Sequence, residues 1–137
     1  MKNVLAVFIS IALLVSIWYL AAFIIHILAF NAPMIGDSII AEYLNKAATW
    51  FVAPGIGGYY SLVVINRFMT GIDIRVIFVS LVTVLVMVWL VMIAFFFFGK
   101  MEGATFGVLV QLIIQGLSIF IGLKIIESEL NQDNVEV

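Results

Sequence analysis

The residues best placed to do chemistry in this chain are polar and small rather than ionised. Gly107, Gln111, Gln115, Ser118 and Gly122 recur at intervals of four, four, three and four. On an α-helix, at about 100° per residue, these five project within one narrow sector. A stripe of two amides, a hydroxyl and two glycines on an otherwise apolar helix must face protein or water. Glutamines in hydrocarbon gain by hydrogen bonding across helices, and small residues beside them permit close approach. The stripe therefore predicts a packing seam, within the chain or between subunits, or else a polar pathway lined by Gln111 and Gln115 in an oligomer.

A second feature is Ala53-Pro54-Gly55-Ile56-Gly57-Gly58. Pro54 lacks a backbone donor and crowds the preceding turn, and Gly55, Gly57 and Gly58 lower helix propensity further, so a helix here is expected to kink or break. Such breaks expose backbone groups that bind ions or substrates in transporters. They also serve as packing kinks. His26, the single histidine, is a candidate proton-sensitive element because imidazole titrates near neutrality; an interfacial, hydrogen-bonded role is the plainer reading. Arg67 and Arg75 flank Asp73, which suits a helix N-cap, while the arginines suit contact with anionic headgroups or a partner.

Other chemistries are excluded by composition. Cysteine is absent, which removes disulfides, thiolate metal sites and thiol nucleophiles. No histidine–carboxylate set stands at metal-ligand spacing, and no nucleophile has a base beside it in sequence. The pattern implies neither a cofactor nor a metal, and enzyme function is not expected. Six Lys and Arg residues, scattered through a chain of net charge −2, leave no basic footprint for nucleic acid.

The elements that position these residues follow from hydropathy. Of 137 residues, 66% are apolar and 10% charged, against roughly half and a quarter in soluble domains. About 20 apolar helical residues cross a bilayer core, and four segments qualify: about 4–28, 47–65, 74–98 and 104–126. The fold class is an all-α membrane protein, with residues 1–126 as one four-helix transmembrane domain and 127–137 as an acidic cytoplasmic tail. The first apolar stretch exceeds the 7–15 residues typical of a signal-peptide core, so it is expected to be a permanent span.

Asp37 and Ser38 can cap a helix. Ile39, Ile40, Tyr43, Leu44 and Ala47 then recur at helical spacing opposite Glu42, Asn45 and Lys46, predicting an amphipathic turn in the outer interface, either separate from the second span or continuous with it as one long bent helix. Gly99-Lys100-Met101-Glu102-Gly103 makes a tight turn between the last two spans. Trp50 and Phe95 to Phe98 suit an aromatic belt, whereas Trp18, Tyr19 and Trp89 lie deeper and are expected to pack on neighbouring helices. With the N-terminus inside, Lys2, Arg67, Arg75 and Lys124 face the cytoplasm and Lys46 and Lys100 face out, a bias that places both termini in the cytoplasm. A bacterial inner membrane is the natural setting.

In length and span number the chain is similar to the small multidrug resistance transporters, but their first span carries a carboxylate and this one has none. Quinone-linked thiol oxidoreductases need the missing cysteines. Four-helix glutathione-dependent membrane enzymes use arginine-rich helix faces, whereas these arginines lie in a connection. Small four-span proteins implicated in lipid-linked sugar flipping share only the size. The expected function is a non-enzymatic membrane subunit that self-associates in the bilayer and serves a cytosolic or membrane partner protein as anchor, assembly factor or membrane-stress sensor, for example in a multi-gene stress-response or antiphage system. The alternative is an oligomeric transporter or channel.

Overall fold

The computed structural model describes residues 1–31, 39–98 and 106–133, and every element among them is a helix. Helix α1 (Lys2–Asn31) precedes α2 (Ile39–Ala47), a π-helical turn (Ala48–Val52), α3 (Ala53–Phe68), α4 (Ile74–Phe97) and α5 (Phe106–Asp133). Four runs are long and apolar enough to cross a membrane: Lys2–Ala29, Glu42–Phe68, Ile74–Phe97 and Phe106–Gln132. Asp37, Ser38, the 99–103 turn and residues 134–137 lie outside the described residues.

The amphipathic segment and the second span form one run. Ala47, Val52 and Ala53 all keep right-handed helical angles, and Glu42 and Lys46 pair at 2.5 Å on the exposed face of α2. An irregular turn sits directly ahead of the proline–glycine motif. Ala53 N–H donates to Ala48 O, five residues back, closing the π turn. From Ala53 to Phe68 the chain is regular α-helix through Gly55, Gly57 and Gly58. The reason lies in Pro54. Lacking an N–H and crowding the turn before it, it leaves the hydrogen-bond mismatch on the π turn that directly precedes α3.

Between α3 and α4 the chain reverses through Gly71, whose φ of 72° needs a residue without Cβ. Asp73 then caps α4: its carboxylate accepts from Arg75 N–H at 3.0 Å and Val76 N–H at 3.3 Å. The Asp73 N–H in turn donates to the Asn3 side chain at 3.2 Å, joining the starts of α1 and α4.

The second span is the hub. It packs extensively on α1 and on α5, α4 touches α5 and α1, and α3 barely meets α4. The helices therefore form a ring in the order α1, α3, α5, α4. Facing contacts make α3 and α5 parallel and α4 and α5 antiparallel. Ala6, Leu62, Ile65, Ile77, Leu81, Ile119, Leu123 and Ile126 form the buried core. All lie in the half of the bundle near Asn3 and Asp73. Toward the other end Phe23, Leu28, Phe95 and Phe97 are exposed. Of its most apolar 18 residues the second span buries 39%, against 11% for the first and third spans, which marks α3 as the enclosed helix.

Helix α5 runs to Asp133, past the expected start of an acidic tail at Glu127. Glu127 is 6% exposed. It accepts from Lys124 Nζ at 2.7 Å and from Asn131 Nδ2 at 2.6 Å. Both partners sit one turn away on the same helix, so the local pairing that shelters the carboxylate also extends the helix.

Candidate functional site

The two motifs singled out by sequence meet at one crossing. Gly55 and Gly58 of α3 face α5, and Gly57 faces α1. A Cβ on Gly58 would lie 2.6 Å from Ile119 O, and one on Gly122 would lie 2.3 Å from Gly55 O and 3.0 Å from Tyr59 N. On the opposite side a Cβ on Gly57 would meet Leu14 O at 2.8 Å and Trp18 Cβ at 2.9 Å. These positions let backbone lie on backbone, the small-residue mode of membrane helix packing. Ala53, Gly57 and Ser61, spaced by four, are all buried, and they continue the α1-facing edge of α3.

Above the glycine contact, the Ser118 hydroxyl donates to Phe51 O in the π turn. The hydroxyl of α5 thus reaches a carbonyl of the π turn that precedes Pro54. Ser61 Oγ donates to Gly58 O at 2.9 Å within α3. Ser10 of α1 is wholly buried, and its hydroxyl has no hydrogen-bond partner among the described residues.

The polar stripe on α5 divides in two. Ser118 and Gly122 are buried against α3. Gln111 and Gln115 are half-buried and Gly107 is exposed, and among the described residues no hydrogen bond engages either amide. His26 lies exposed on α1, far along the chain from the core residues Ala6 and Ser10, and Arg67 and Arg75 are exposed beside the Met69–Asp73 turn. Neither arginine forms an ion pair among the described residues.

Two features had no signal in the sequence. Gly116, one residue off the stripe, is buried under Trp89 of α4: a Cβ there would lie 2.4 Å from Cε2 of the indole, whose Nε1 donates to Leu112 O at 2.7 Å. Trp18 packs against the core as its depth implies, whereas Tyr19 is 70% exposed. The other feature is the sheltered Glu127, whose Lys124 partner also lies over the Phe78 ring at 5.3 Å.

Among the described residues no three His, Asp or Glu side chains converge as a metal-ligand set. What the crossing can do is hold α3 and α5 in a close parallel register and tie the π turn to α5. Known protein families, characterised proteins and solved structures were compared with this chain, and none matches it.

Proposed function

We propose that this chain is a non-enzymatic membrane subunit that self-associates through the outer half of α5 and acts for a partner protein as anchor, assembly factor or membrane-stress sensor. The observation that supports the reading is the state of Gln111 and Gln115: two primary amides on a helix long and apolar enough to cross a membrane, with no hydrogen-bond partner among the described residues. Unpaired amides in hydrocarbon are costly, and a second copy or a partner helix supplies the missing donors and acceptors. Exposed Gly107 at the end of the same sector allows that helix to come close.

In this reading the inner half of the bundle, with its buried core, is the rigid part, and the open outer half is the assembling part. The second span bends at the π turn before Pro54, where α2 meets the outer interface. Both termini lie in the cytoplasm of a bacterial cell, where Arg67, Arg75 and the end of α5 are read by a partner.

The same unpaired amides also suit an oligomeric transporter or channel in which Gln111 and Gln115 line a water-filled path. Replacing both by Leu separates the two. A subunit held by amide pairing changes its oligomer mass in mild detergent and never supports flux in proteoliposomes. A transporter keeps its mass and loses flux. Purification of the native complex giving a monomer with no partner overturns the proposed role.

A further inference from the structure

A groove of about 370 Å³ runs between α3 and α5 on the side away from α1 and α4. Phe51 and Ile56 form one wall, Ile121 and Ile125 the other, and Gly55 and Gly122 the floor. The glycine crossing creates it, because the two helices touch backbone to backbone and their larger neighbours splay outward. Phe51, Ile121 and Ile125 remain 46%, 44% and 48% exposed, so the groove opens sideways into the bilayer.

One end is charged. Ser118, Gly122 and Ile125 line the groove along one face of α5, and Glu129, four residues past Ile125, continues that face. Glu129 Oε2 accepts from the hydroxyl of Tyr59, itself a lining residue, at 2.9 Å. Among the described residues no cation pairs with Glu129, since Lys124 is engaged by Glu127. From Ser118 to Glu129 the helix rises about 16 Å, close to the roughly 15 Å hydrocarbon depth of one leaflet.

We infer that this groove binds one acyl chain of a phospholipid with a primary-ammonium headgroup, from the leaflet at the Asn3–Asp73 end, with the ammonium held by the Glu129 carboxylate beside Tyr59. The site lies within helices long and apolar enough to cross a membrane, where acyl chains are the apolar ligand at hand, and the Glu129 carboxylate, which has no cation beside it among the described residues, selects the headgroup. A primary ammonium offers three N–H donors to a carboxylate. A choline headgroup offers none, and an anionic headgroup meets repulsion.

The test is native mass spectrometry of the purified, delipidated full chain mixed with equal amounts of phosphatidylethanolamine, phosphatidylcholine and phosphatidylglycerol of identical acyl chains. The expected result is one lipid retained per chain, with phosphatidylethanolamine preferred about fivefold, the size of a single exposed charge-assisted contact. Glu129→Gln abolishes the preference and leaves total binding in place. Ile125→Trp, on an outward-facing position, fills the groove and abolishes retention of all three lipids while circular dichroism reports unchanged helix content. Equal retention of the three lipids by the wild type, a preference for phosphatidylglycerol, an unchanged preference in Glu129→Gln, or lipid retained by Ile125→Trp each overturns the assignment.

Discussion

Gly122→Ala tests whether the crossing of α3 and α5 holds the bundle together. The new Cβ would lie 2.3 Å from Gly55 O, so that oxygen must recede by about 1.1 Å to reach ordinary contact at 3.4 Å. The obstacle is backbone inside a regular helix, and no rotamer change relieves it. The two helices must separate, and Leu62, Ile119 and Leu123, packed in the shared core, separate with them. A gap of 0.5–1 Å forfeits about a quarter to a half of each dispersion contact, and overpacking of this kind costs about 3 kcal/mol at the upper end of its range. Alanine returns about 1 kcal/mol through its helix propensity. The net expectation is a loss of about 2 kcal/mol. Equilibrium unfolding in mixed micelles, raising the SDS fraction and following helix content by circular dichroism, measures it. Gly107→Ala, at an exposed position, serves as the control and is expected to stay within about 0.5 kcal/mol of wild type or to exceed it. A Gly122→Ala protein within about 0.5 kcal/mol of wild type refutes the reasoning.

Two further substitutions address the neighbouring contacts. Gly116→Ala pushes on the Trp89 indole, which can swing aside but loses its bond to Leu112 O; a cost of about 0.5–1.5 kcal/mol and stronger quenching of Trp89 by brominated lipid, measured with Trp18 and Trp50 replaced by Phe, are expected. Ser118→Ala removes the donor to Phe51 O and is expected to cost about 0.5–1 kcal/mol. In a Pro54→Ala background, where residue 54 regains its N–H and the π turn can relax, that cost should shrink, and a double-mutant cycle showing no coupling would remove the link between Pro54 and Ser118.

The four spans, the Asp73 cap and the run of α2 into the second span were legible in the chain, because each depends on local quantities: mean hydropathy over about 20 residues, one side chain reaching the next turn, and helical spacing of apolar groups. Ser118 and Gly122 stood out for the same reason, as a periodic departure from apolar composition. Gly116 did not, because a single glycine acquires meaning only from the indole opposite it. Glu127 read as tail, since a carboxylate past the last apolar residue gives no sign that Lys124 and Asn131 will shelter it. The π turn at Ala48–Val52, directly ahead of Pro54, gave no separate signal in the chain.

In lipid, every face of a span is apolar, so hydrophobic periodicity does not say which side is buried. Sequence by itself therefore determined that the chain can cross a membrane four times and where its polar and small residues fall along each helix. Tertiary structure alone decided that α3 is the hub, that its glycines divide between α1 and α5, and that the stripe on α5 splits into a half spent on that crossing and a half whose amides find no hydrogen-bond partner among the described residues. The physical reason is that membrane helices choose neighbours by close backbone fit and hydrogen-bond completion, and both are properties of pairs of helices that no single helix carries alone.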